Sequence, residues 1–195
     1  MNPQIDELVG KIRLLEAELD AEIAKRGAEL RYGLERGRVA FEDELLRRHR
    51  ELRQKLLPYV FGANPLVMLV SPVIYAGIVP FVLLDLFVSV YQAVCFPVYG
   101  IAKVKRADYL VFDRHHLAYL NALEKLNCAY CSYANGLIAY AREIVARTEQ
   151  YWCPIKHARR VIGVHGRYAA FDDYGDGEGY RERLEQLRKD LAKDA

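Results

Sequence analysis

Four side chains carry the strongest chemical signal in the chain. Cys128 and Cys131 form a CxxC pair, and Cys153 with His157 forms a CxxxH pair 22 residues later. Three thiolates and an imidazole at these spacings suit tetrahedral zinc, mononuclear iron or an iron–sulfur cluster. The leading expectation is therefore one Cys3His metal site built from Cys128, Cys131, Cys153 and His157. Asn135 and Gly136 are a turn signal, and a second reading follows from an antiparallel register folded about them. It separates the ligands into Cys128, Cys131 and Glu143 on one side and His115, His116, Cys153 and His157 on the other, with Asp113 near the second group. A third reading is bland: cysteines are among the most buried residue types, and a CxxC on a helix can be two small core residues.

The thiols fit metal or redox roles better than disulfides only in a reducing compartment, so the elements around them matter. The chain has 195 residues, 28 basic and 26 acidic, and 52% are apolar. From Leu56 to Ala102 the only charged residue is Asp85. Such a stretch excludes a soluble enzyme of ordinary build, and the apolar content excludes disorder. MNPQIDELVG is acidic and has no apolar core, unlike a secretory signal. Basic residues gather at both edges of the stretch: Arg47, Arg48, Arg50, Arg53 and Lys55 before it, Lys103, Lys105 and Arg106 after it. The positive-inside rule then places both termini in the cytoplasm and the chain at the cytoplasmic or inner membrane.

These features predict an all-α protein in three regions. Residues 1–56 read as a long amphipathic helix, coiled-coil-like. Its apolar positions Ile5, Leu8, Ile12, Leu15, Leu19 and Ile23 step by three or four, and Leu30, Leu34, Phe41, Leu45, Leu52 and Leu56 continue them. Gly27, Gly33 and Gly37 weaken its middle. Residues 57–102 are too long for one span, at roughly 70 Å of helix against a core of about 30 Å. They read as a transmembrane or re-entrant helical hairpin turning beside Val79 and Pro80, with Tyr59 and Tyr99 mirrored at one interface. Asp85 sits just beyond that turn as an interfacial carboxylate, and Cys95 is a small packing residue.

Residues 103–195 read as a cytoplasmic helical bundle holding the Cys/His cluster. One helix precedes Asn135–Gly136, a second follows it, a third runs from Pro154 to a stop at Gly163, and a last runs from Tyr180 to Ala192. The loop at Asp172 imitates a calcium loop but has Tyr174 at the third position and Arg183 at the twelfth. There is no GxxxxGK, GxSxG or HExxH. Lys156, Arg159, Arg160 and Arg167 make a basic patch that reads as a solvated helix face. Near-neutral net charge disfavours nucleic acid.

The expected partners are the lipid bilayer and either further copies of the chain or another membrane protein. The expected function is partner binding or electron transfer through a zinc or iron centre. The alternatives are a metal-free membrane scaffold and a membrane-bound redox enzyme.

Overall fold

The computed structural model describes residues 3–29, 32–35, 38–41 and 43–193; for 3–6 and 32–41 the backbone alone is described. The fold is helical. In chain order it runs α1 (Pro3–Glu29), β1 (Tyr32–Glu35), β2 (Arg38–Phe41), α2 (Asp43–Glu51), α3 (Leu56–Phe61), α4 (Pro65–Ala76), α5 (Ile78–Tyr99), α6 (Ala122–Trp152) and α7 (Tyr180–Leu191), with short 3-10 turns between.

The single helix expected over the first 56 residues is interrupted. β1 and β2 pair antiparallel, Tyr32 opposite Phe41 and Leu34 opposite Val39, and separate α1 from α2. Leu30 and Gly37, which figured in that expectation, lie outside the described residues. In α1 the expected stripe is bare: Leu8, Ile12, Leu15, Leu19 and Ile23 are all more than half exposed.

The hairpin turn expected beside Pro80 is replaced by helix. Gly77 alone separates α4 from α5, and its φ of −57° and ψ of −16° keep it in the right-handed helical region. Pro80 lies three residues beyond Gly77, and the helix runs on through it although proline supplies no N–H. Pro65–Tyr99 is thus one helix of 35 residues, long and apolar enough to cross a membrane. Asn64 starts it by accepting the Leu66 N–H at 2.9 Å, with Pro65 in the first turn.

The turn expected at Asn135–Gly136 is likewise absent, because α6 runs through it for 31 residues. Asn135 returns its side-chain N–H to the Cys131 carbonyl at 2.9 Å, a bond made within the helix. Gly136 serves a close approach. A Cβ there would stand 2.5 Å from the Tyr109 carbonyl oxygen and 3.2 Å from the Leu110 Cα.

The third helix expected from Pro154 does not form either. Backbone groups that a helix would use are committed across the chain: Asp172 N–H donates to the Pro154 carbonyl at 2.8 Å and Lys156 N–H to the Asp172 carbonyl at 2.7 Å. Gly163 ends this irregular segment with a φ of +71°, open to glycine without strain. The last helix forms where expected, from Tyr180 to Leu191.

The described residues divide into two compact units. One contains Met1–Val9, Pro80–Leu110 and Gly136–Ala195, and the other Gly10–Val79 and Val111–Asn135. The core of the first is made by Val88 and Phe96 of α5, Leu137, Tyr140 and Ile144 of α6, Phe171, and Leu184 and Leu191 of α7. Gln150 and Arg188 fasten α7 to α6 through the Leu187 and Tyr151 carbonyls, each at 2.8 Å. In the second unit Tyr75 of α4 donates to Asn127 of α6, and Tyr130 donates to the Ile74 carbonyl at 2.7 Å.

Candidate functional site

The four cysteines are free thiols, and they are spread along the chain. Cys128 and Cys131 are one turn apart near the start of α6, half-buried and exposed respectively. Cys153 follows the far end of the same helix, about 33 Å beyond Cys131 at 1.5 Å per residue. His157 is exposed, its ring stacked on Tyr168 and its backbone N–H donated to the Tyr168 hydroxyl at 2.6 Å. The CxxC pair thus belongs to the second unit, and Cys153 and His157 to the first.

The His115 and His116 rings are tilted at 40° with centroids 3.9 Å apart, and His115 lines a small depression with Cys128. Glu143 belongs to an arginine cluster: its Oε1 accepts from Arg147 Nε at 2.9 Å and from Arg167 Nη2 at 2.7 Å. Among the described residues no three of His, Cys, Asp and Glu converge in a group able to hold a metal ion.

The structure instead concentrates polar chemistry along one face of α5. Asp85, Ser89 and Gln92 occupy positions i, i+4 and i+7, one side of a helix that is otherwise apolar. After Tyr99 the chain turns at Gly100 and returns along this face. Gln92 accepts the Val104 N–H at 3.0 Å, donates to the Val104 carbonyl at 3.4 Å and donates to the Tyr140 hydroxyl. Arg106 then closes on Asp85 with both ends of its guanidinium, Nη2 to Oδ2 at 2.7 Å and Nε to Oδ1 at 3.2 Å. The Asp85 side chain is only 15% exposed, so the paired arginine offsets a desolvation that would otherwise be costly.

The remaining polar groups of this unit lock the return segment to α6. Arg147, 8% exposed, donates Nη1 to the Ala102 carbonyl at 2.6 Å while its Nε holds Glu143. Arg167 bridges Glu143 and Gln150. Burial pushes the Tyr109 phenol above the usual tyrosine range, and the negative charge of Glu143 adds to the shift. In the loop before α7, Lys156 bonds the Asp173 carboxylate at 2.8 Å and holds it below the usual aspartate range. Arg183 reaches back from α7 to Asp172, raising its own affinity for the proton. The basic patch is partly used in this way, with Lys156 and Arg167 paired and Arg159 and Arg160 exposed.

Arg106, Gln92, Arg147 and Gly136 are the residues that sequence reasoning missed in these roles. The polar stripe of Asp85, Ser89 and Gln92 on one side of an apolar helix was the available signal for the first two, because such residues in an apolar helix turn toward protein partners.

The opposite face of α5 is bare. Leu83, Leu86, Phe87, Val90, Val94 and Val98 are all at least half exposed, while Val88, Gln92 and Phe96 are buried. Tyr99 packs its ring on Tyr151 and Trp152 at 5.0 and 5.5 Å, an aromatic group at the end of the helix. Comparison with protein-family models, curated proteins and solved structures finds no match, so the function rests on this geometry.

Proposed function

We propose that this chain is a membrane-held helical scaffold, fixed to the bilayer by the bare face of α4–α5 and joined to further copies or to a membrane protein through α1. The observation that carries the proposal is the inverted burial of α5. Its polar side chains Asp85, Ser89 and Gln92 face protein together with Val88 and Phe96, while its outward face is apolar where a helix on a water-soluble domain carries polar groups. Covering half a dozen exposed Leu, Val and Phe side chains with acyl chains is worth on the order of 10 kcal/mol, enough to hold the chain at a bilayer.

The return segment supports an interfacial setting for the second half of α5. Lys103 and Lys105 are exposed beside it and Arg106 pairs with Asp85, so one flank of the helix carries cations while its outer face carries hydrocarbon. Together with the basic run before α3, this sets cations at both ends of the 35-residue helix, which in our proposal lies along the cytoplasmic face of the membrane with its bare side in the acyl region. The stripe on α1 supplies the assembly surface, since five large apolar residues are left exposed along one helix.

Flotation of purified protein with anionic liposomes tests the proposal, combined with fluorophores placed singly at Val90 and Lys103 and quenched by lipids labelled at different depths. The protein should float, with Val90 quenched by acyl-chain labels and Lys103 by headgroup labels. A monodisperse protein that stays in solution without detergent and does not float would refute it.

A further inference from the structure

A groove of about 510 Å3 opens between α3, α4 and the start of α6. Its size falls in the range of small-ligand sites, and Pro58, Val60, Val67, Met68 and Leu123 make its walls largely apolar. Three polar side chains in the wall are already engaged. Ser71 donates to the Met68 carbonyl at 2.9 Å, and Tyr75 donates to Asn127. Internal pairing of these groups leaves a lining that asks little of a ligand except apolar surface.

One end of the groove is different. Gln54 lines it, and Gln54 stands between Arg53 and Lys55 in a run that also contains Arg47, Arg48 and Arg50, all exposed. Glu51 is the single acid from residue 45 to residue 56. An apolar channel that begins beside a cationic run and continues along an uncovered apolar helix matches a molecule with an anionic head joined to a hydrocarbon tail.

We infer that this groove, lined by Gln54, Pro58, Val67, Met68, Ser71 and Leu123, holds one acyl chain of an anionic phospholipid whose phosphate is met by Arg53 and Lys55. The inference rests on the membrane reading only for the source of the lipid. Attraction of a headgroup to two cations accounts for a preference of about tenfold over a zwitterionic lipid with the same chains. A soluble phosphate would be drawn to the same cations but would leave the apolar walls uncovered.

Native mass spectrometry of the full chain in mild detergent tests this with equal amounts of phosphatidylglycerol and phosphatidylcholine, and with inorganic phosphate as a third arm. The expected result is a single retained phosphatidylglycerol adduct about tenfold more abundant than the phosphatidylcholine adduct, with no phosphate adduct. Ser71→Phe should remove the lipid adduct, and Ala63→Leu at another point of the groove should weaken it, in protein whose circular dichroism is unchanged. The double variant Arg53→Glu/Lys55→Glu should keep chain binding and lose the headgroup preference. Equal retention of the two lipids, a phosphate adduct alone, or undiminished retention in both folded groove variants would overturn the inference. Flotation of the same proteins separates the two ideas: a chain that floats without retaining phosphatidylglycerol refutes the groove alone, and a chain that retains it without floating refutes the membrane reading alone.

Discussion

Replacing Gly136 by alanine should destabilise the chain, although the same change in an exposed helix normally stabilises it. Alanine in place of glycine inside a helix contributes about 1 kcal/mol. At Gly136 the new Cβ would stand 2.5 Å from the Tyr109 carbonyl oxygen and 3.2 Å from the Leu110 Cα, and both are backbone atoms that no rotamer change can move. The segment has little freedom to retreat, because Leu110 is buried and its N–H is bonded to the Arg106 carbonyl at 3.1 Å. Overpacking of this kind costs about 1–3 kcal/mol, and with two backbone contacts this close we expect the upper part of that range and a net loss of up to about 2 kcal/mol. For a chain of this length that lowers the melting temperature by up to about 8 °C. Gly10 is the control, since it lies in α1 with nothing within 4 Å of its added Cβ. Thermal unfolding followed by circular dichroism in one detergent should show Gly136→Ala below the wild type and Gly10→Ala at or above it. A Gly136→Ala protein as stable as the wild type would mean that the Tyr109–Leu110 segment does not press on α6.

Arg106→Ala should cost about 1–3 kcal/mol by leaving the Asp85 carboxylate largely buried without its guanidinium, and Asp85→Asn in the same chain should recover part of it; melting curves of the three proteins check the order. Cys128→Ala and Cys153→Ala lie at opposite ends of α6 and should act additively to within about 0.5 kcal/mol, with no shared loss of zinc or iron in metal analysis; strong coupling would restore a common site. Tyr109 has a raised pKa in the fold, so its proton is held more tightly there than in the unfolded chain. The stability this adds is fully present below the ordinary tyrosine pKa near 10 and is lost as pH rises above it, and Tyr109→Phe should flatten the alkaline limb of stability against pH.

The parts of the fold that were legible in the sequence are those decided by local chemistry. The loop before Tyr180 marks a helix start through backbone preferences that act within a few residues, Gly179 taking a φ of +68° just ahead of it. The apolar run around Asp85 is equally local, because absence of charge needs no partner to be seen. Asn135–Gly136 misled because an Asn-Gly pair is compatible with either a turn or a helix, and only the approach of Tyr109 explains why glycine stands there. Leu34 and Phe41 misled because a step of seven, which suits a helix seam, is also met where two short strands pair antiparallel. The CxxC and CxxxH spacings are local pairs, and spacing within each pair carries no information on what the other pair approaches. Arg106 and Asp85 are 21 residues apart, beyond the reach of any local pattern.

That distance along the chain also sets an order of events during synthesis. Asp85 leaves the ribosome 21 residues ahead of its arginine. At about 5–20 residues per second this interval lasts about 1–4 s, long compared with helix formation. Through that interval the nascent helix carries a carboxylate whose final counter-charge has not yet been made, and Gln92 likewise waits for the Val104 backbone that it will bind. The second half of α5 therefore acquires its orientation last, when Lys103 to Arg106 have emerged and folded back. A ribosome arrested before residue 106 would display a nascent chain whose leading apolar segment is ready for lipid while the polar stripe behind it still belongs to water.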